Sequence, residues 1–319
     1  MEPRNSGPRV AVVGTGNVGS TFAYTLMQSG LVSELVLIDK NRDKAEGDAM
    51  DLNHGLAFVK PVRIWAGDYK DTAAADVIVI AAGAAQKPGE TRIDLVRKNT
   101  EIFRDIIENI MMQEPRGVIL VATNPVDILT LAALKFSGLP KGRVIGSGTI
   151  LDTARFRYLL GRHLDVDPRS VHAYIIGEHG DSELAVWSQA RVGTMSIRKF
   201  ATLSGYHYSP KTAKEIFNGV RDAAYHIIEK KGATYYAIAL GLQRIVEAIL
   251  RDEHSVLSVS TLLTDYHGVN DICLGVPCVL TRDGIDRVII LPLNTQEKEA
   301  FQRSAAMLRE VAVSVGLIE

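Results

Sequence analysis

A glycine-rich turn near the front of the chain limits the possible folds more than any other stretch. Gly14-Thr15-Gly16-Asn17-Val18-Gly19 follows an apolar run at 10–13 and opens a helix-length segment, and Asp39 ends the next apolar run 20 residues after Gly19. Each part has a physical job in a strand–turn–helix unit that holds a dinucleotide. Gly14 permits the tight turn, Gly16 lets the backbone approach a pyrophosphate, and Gly19 allows the helix to pack closely on the strand. The helix N-terminus opened by Gly16 and Val18 attracts phosphates. Asp39 can accept both hydroxyls of a ribose, and its charge repels a 2′-phosphate, so NAD is favoured over NADP; Lys40 beside it softens that preference.

The pattern continues through the first half. Short, largely β-branched runs at 10–13, 35–38, 62–65, 77–81, 118–121 and 144–145 alternate with amphipathic segments such as 19–29, closed by Gly30, and 100–112, broken by Pro115. Continuous apolar strands separated by helices indicate an α/β fold, a doubly wound parallel sheet of the Rossmann type. After Ser147 the character changes. Helical segments at 151–164 and 211–231 are followed by strand-like runs at 255–263, 274–280 and 286–291 and a last helix at 295–315. The reading is a dinucleotide-binding domain over 1–147 and a second, α+β substrate domain over 148–319, joined without a flexible linker.

Composition narrows the partners. A formal net charge of -1 argues against nucleic acid or an acidic membrane surface, and the apolar run 77–85 is far shorter than the roughly 18 residues of a membrane helix. With no secretory h-region at the start, a cytosolic protein is expected. Cys273 and Cys278 lie in apolar surroundings without nearby histidines, so no metal site is expected.

The chemistry-bearing residues lie on loops. In a doubly wound sheet, ligands bind beyond the carboxyl ends of the strands, where Ala82-Gly83-Ala84 and Ala122-Thr123-Asn124-Pro125 fall. Gly83, Ala84 and Ala122 are small enough to let a cofactor pass. Asn124 can bond a substrate hydroxyl or cap the helix that follows Pro125. Gln86-Lys87-Pro88-Gly89-Glu90-Thr91-Arg92 is a polar loop suited to a lid. Asp152 and Arg155, at i and i+3, share one helix face. Ile176-Gly177-Glu178-His179-Gly180-Asp181 sets an imidazole on a permissive turn, suited to moving protons near neutral pH.

Together these motifs resemble the L-lactate and malate dehydrogenase family over nearly the whole chain, from Gly14-Thr15-Gly16 through Thr123-Asn124-Pro125-Val126-Asp127 and Ile150-Leu151-Asp152-Thr153-Ala154-Arg155 to the His179 turn. Within the family the chain looks most like its bacterial lactate-specific members. The resemblance implies that Asp152 touches His179, a contact that spacing alone does not show. It implies reversible hydride transfer between NADH and pyruvate at the fermentative end of glycolysis. His179 is then the proton donor, Asp152 its orienting acid, Arg155 a two-pronged clamp on the substrate carboxylate, and Arg92 a lid residue that polarises the carbonyl. Gln86 and Thr234 line the end of the substrate site. Malate-specific relatives carry arginine where this chain has Gln86, and a neutral amide tolerates a methyl but leaves a second carboxylate unpaired, which favours pyruvate.

Arg157 lies about 200° around the helix from Arg155 and so faces away from the reaction. In bacterial members of the family, the positions matching Arg157 and His172 look like a binding site for fructose 1,6-bisphosphate at a subunit contact, so an activating effector is expected. The segment before Arg9 is short, and a homotetramer is expected from the family rather than from an arm. A malate dehydrogenase is the alternative opposed by Gln86. A non-catalytic NAD sensor is opposed by the presence of His179, Asp152, Arg155 and Arg92 together.

Overall fold

The computed structural model describes residues 7–85, 89 and 91–319, apart from the side chain of Arg92. Six strands alternate with helices through the first half: β1 (Arg9–Val13), α1 (Asn17–Ser29), β2 (Glu34–Ile38), α2 (Arg42–His54), β3 (Arg63–Ala66), β4 (Val77–Ile80), α3 (Arg92–Met111), β5 (Val118–Val121), α4 (Val126–Ser137) and β6 (Val144–Gly146). All six are parallel, in the order β3-β2-β1-β4-β5-β6, as expected of a doubly wound sheet. Their side chains alternate between two helical layers. Val10 and Val12 pack with Phe22 and Leu26 of α1, whereas Ala11 and Val13 pack with Phe103, Ile107 and Ile110 of α3. With both faces covered, every position of β2, β4 and β5 is buried, which is why these strands read as unbroken apolar runs. The strand order reverses between β1 and β4, so a crevice opens where the loops after β1, β4 and β5 meet.

The second half comprises α5 (Ile150–Leu164), β7 (Val171–His172), β8 (Ile175–Ile176), β9 (Leu184–Ala185), β10 (Arg191–Val192), β11 (Met195–Ser196), α6 (Ile197–Leu203), α7 (Pro210–Arg221), α8 (Ala223–Lys231), α9 (Tyr236–Leu250), β12 (Ser255–Leu262), β13 (Cys273–Thr281), β14 (Gly284–Val288) and α10 (Thr295–Ser314). Strands β12 to β14 are antiparallel and do not form a sheet of their own. β12 pairs antiparallel with β6 at Ser260 and Gly146, so that nine strands make one sheet among the described residues. Helix α9 packs on α1, and Leu242, Ile245, Val246 and Ile249 share a core with Phe22 and Leu26. The two halves are thus stitched by buried apolar surface.

Two helices differ from the pattern reading. The segment expected as one helix over 211–231 is two, because Asp222 ends α7, pairs with the Arg221 guanidinium at 2.9 Å, and starts α8. The helix expected from Thr100 begins at Arg92, where Thr91 and Asp94 form a reciprocal capping box. No helix among the described residues is long and apolar enough to cross a membrane.

Candidate active site

At the cofactor end the three glycines differ in what surrounds them. Gly14 has φ +97°, and a Cβ there would lie 2.4 Å from the Ala82 nitrogen; a Cβ on Gly19 would lie 1.9 Å from the Gly14 carbonyl oxygen. At Gly16 nothing among the described residues lies within 4 Å of that position. The first and third glycines are therefore demanded by the fold, and the second leaves open space beside the start of α1, whose first turn has no side-chain cap. Val18, half-buried, packs into the core beneath the turn. Asp39 holds the turn from the end of β2, accepting from the Thr15 backbone at 2.7 Å and the Asn41 backbone at 2.9 Å. A carboxylate has about four acceptor positions, so capacity remains for ribose hydroxyls. These features fit a dinucleotide: free N–H donors, a gap where a Cβ would stand, and an acid one strand away.

The loops after β4 and β5 are tied by a residue that pattern reading passed over. Asn99 of α3, fully buried, accepts from Ala84 N at 2.7 Å and donates to the carbonyl oxygens of Ala84 and Asn124, both at 3.3 Å. Gly83 is confined by Thr123, whose methyl would stand 2.4 Å from a Cβ, and Ala122 is half-buried beside them. Asn124 is exposed and does not cap α4, because Pro125 occupies the cap position, without a side-chain bond.

The corner around His179 is assembled from distant parts of the chain. Asp152 and Arg155 lie in the first two turns of α5, and His179 follows β8. Asp152 Oδ2 is 2.5 Å from His179 Nδ1, and Asp152 Oδ1 accepts from Arg155 at 2.8 Å. The Asp152 carboxyl is 3% exposed, Arg155 15% and His179 23%, so the ring and the guanidinium still reach solvent while the acid between them does not. Burial opposes ionisation of Asp152, yet the His179 and Arg155 charges hold its carboxyl below the usual range. Burial likewise opposes charging of the ring, but Asp152, and then the Asp127 and Glu183 charges, lift His179 to about 9. With Nδ1 committed to Asp152, Nε2 is the nitrogen left to exchange a proton.

Buried hydrogen bonds fix this corner. Thr149 and Thr153 at the start of α5 both bond Ile175 of β8, the Thr149 hydroxyl to the Ile175 carbonyl at 2.8 Å and the Ile175 backbone to the Thr153 hydroxyl at 3.0 Å; Ser258 of β12 joins Thr149 at 2.7 Å. The His179 turn is held residue by residue. Gly177, at φ +94°, exchanges backbone bonds with Gly275 of β13, both 2.9 Å; Glu178 N donates to Ser304 of α10 at 2.9 Å; His179 N donates to Asp127 of α4 at 2.7 Å. Asp127 also accepts from Ser260 at 2.6 Å; burial pushes its acid up to about 6 against these bonds. Pattern reading missed these anchors because a lone Ser, Thr or Asp carries no periodic signal. Asp127 is legible only as the last residue of Thr123-Asn124-Pro125-Val126-Asp127.

The remaining expected residues are more dispersed. Thr234 lies, half-buried, in the loop between α8 and α9. Gln86 lies outside the described residues; Arg92 is the first residue of α3 and its side chain is likewise not described. Arg157, on α5, bonds the Ala173 carbonyl at 3.0 Å and sits over the Tyr174 ring; His172, the residue before Ala173, is exposed on β7.

Residues 8–146 match the family described as lactate/malate dehydrogenase, NAD binding domain, and residues 149–315 match the lactate/malate dehydrogenase, alpha/beta C-terminal domain. The chain belongs to the lactate/malate dehydrogenase family. It is an NAD-dependent oxidoreductase. The chain is similar to the L-lactate dehydrogenase of Geobacillus stearothermophilus, at 58% identity over 96% of this chain and 97% of that one, and to that of Geobacillus kaustophilus (strain HTA426), at 59% over 96% of each. Among solved structures, the ligands-bound minor L-lactate dehydrogenase of Enterococcus mundtii superposes with a TM-score of 0.95 at 44% identity, covering 98% of this chain and 99% of that one. A lactate dehydrogenase enzyme from a Medee basin deep-sea metagenome library gives a TM-score of 0.94 at 46% identity, covering 97% of this chain and 99% of that one.

Proposed function

We propose that the protein is an L-lactate dehydrogenase that interconverts pyruvate and L-lactate, with residues 1–147 holding the cofactor and 148–319 supplying the substrate site. The Asp152–His179 contact, with Arg155 on the same acid, carries this reading. When bound, NADH supplies the hydride to the substrate carbonyl carbon. Arg155 orients the substrate through its carboxylate, using guanidinium donors not committed to Asp152. His179, charged at neutral pH, donates from Nε2 to the carbonyl oxygen, and Asp152 stabilises the imidazolium without itself taking the proton. In the reverse direction, neutral His179 accepts the hydroxyl proton. Arg92 arrives with the lid to stabilise the developing charge, Asn124 bonds the substrate oxygen, and Gln86 and Thr234 admit a methyl rather than a second carboxylate.

The same proposal covers assembly and control. Four copies associate in the cytosol, and Arg157 with His172 gathers the phosphates of fructose 1,6-bisphosphate between copies, favouring the active state at the fermentative end of glycolysis. One set of assays tests all of this: loss of NADH absorbance with pyruvate and with oxaloacetate, each with and without the bisphosphate. Faster turnover of pyruvate, with a saturation curve shifted by the bisphosphate, is the expected outcome. Equal or faster turnover of oxaloacetate overturns the substrate assignment, no turnover favours a sensor, and an unmoved curve overturns the effector.

A further inference from the structure

Glu183 stands between the His179 turn and β9, its backbone N–H donating to the Gly180 carbonyl at 3.1 Å. The residue is 6% exposed, and its Oε1 is buried with no hydrogen-bond partner among the described residues. A buried carboxyl oxygen left unpaired is costly, so its retention in a well-packed corner calls for a reason. The charges that act on it are Asp152 and Arg155 from α5, His179 from the turn and Arg221 from the end of α7. His179 in turn is acted on by the charges of Asp152, Asp127 and Glu183. Asp152 and Asp127 are both engaged by hydrogen bonds, Asp127 through the His179 backbone and Ser260. Glu183 acts on the ring only through space.

We propose that Glu183 is a positioning residue for the reaction, a second carboxyl that works through His179 and keeps the proton on its ring in alkaline solution. The inference rests on His179 being the proton donor. Burial, and after it the Asp152 charge, push the Glu183 acid up to about 8, so it is protonated and electrically silent at neutral pH. Above that it ionises while His179, at about 9, is still charged. A negative charge then appears beside the imidazolium, and the ring proton becomes harder to remove. Removing the acid therefore lowers the pH at which His179 is lost as a donor.

The test is the pH profile of pyruvate reduction and lactate oxidation by Glu183→Gln, Glu183→Asp and His179→Gln enzymes beside wild type, from about pH 6 to 10. In Glu183→Gln the alkaline limb of kcat/KM for pyruvate moves down by roughly half to one unit, a loss of about two- to fivefold near pH 9, with rates near pH 6.5 within about twofold. The rise of lactate oxidation moves the same way, and Glu183→Asp recovers part of both shifts. A limb that stays in place, moves upward, or a rate reduced equally at every pH overturns the proposal. If His179→Gln keeps the wild-type rate and limb, the proton-donor reading itself fails; if it abolishes turnover while Glu183→Gln leaves the limb unmoved, the assignment of Glu183 alone fails.

Discussion

The proposed cofactor residues run from Gly14 to Asp39 within one strand–helix–strand unit, and what distinguishes them is backbone geometry. At the His179 corner they come from α4, α5, the turn after β8, α10, β12 and β13, and side chains carry the charges while backbone bonds help to hold the turn. The first region tolerates little change in shape but needs few charges. The second carries Asp127, Asp152, Glu183, His179 and Arg155 in or beside one buried space, so each charge sets the behaviour of the next. A local motif can be moved between proteins as a unit; a convergent one exists only while the tertiary structure holds it.

The largest expected effect lies at the corner. Asp152→Asn keeps the shape but removes the charge that orients and stabilises the ring, so kcat for pyruvate reduction falls at least about a hundredfold while NADH affinity, measured by fluorescence titration, is unchanged. A parallel fall in NADH affinity would mean that the two regions are not separable. The glycines break the comparison from the other side. Gly14→Ala, forced to φ +97° and against Ala82, costs about 1–3 kcal/mol or more in denaturant unfolding, whereas Gly16→Ala leaves unfolding unchanged and weakens NADH binding about tenfold. Equal effects on stability would show that the open space at Gly16 is not reserved for the cofactor.

Asp127→Asn sharpens the distinction between touching the chemistry and holding it. The amide can keep one of the two bonds, so a loss of kcat of about tenfold is expected, with KM for pyruvate nearly constant; a loss as large as that of Asp152→Asn would place Asp127 in the chemistry itself. Wild-type pyruvate reduction should be level through neutral pH. His179 is raised from its ordinary value to about 9, so the donor is charged below that point and lost as pH rises through it, while lactate oxidation gains over the same window. A limb near 6.5 would mean that the Asp152 field is not felt. The smallest effect is a redistribution: Gln86→Arg moves the ratio of oxaloacetate to pyruvate turnover upward, and an unchanged ratio would show that Gln86 does not face the substrate.

The doubly wound sheet, the NAD-binding turn, Asp39 and the α5 pair were all legible in the amino-acid sequence, because each depends on neighbours a few residues away: alternation in strands, i and i+3 on a helix, glycine where a turn demands it. His179 was legible only as a histidine on a permissive turn. Its pairing with Asp152 came first from resemblance, since nothing in a 27-residue separation specifies contact. The break at Asp222, the merging of β12–β14 into the first sheet, the Thr149, Thr153 and Ser258 bonds to Ile175, and a Glu183 Oε1 without a partner among the described residues were decided by the tertiary structure. Burial is what separates the two groups. Periodicity reports which face of an element is apolar, but the strength of a charge or hydrogen bond depends on how far water is excluded around it, and that is settled only when distant segments close over the same few atoms.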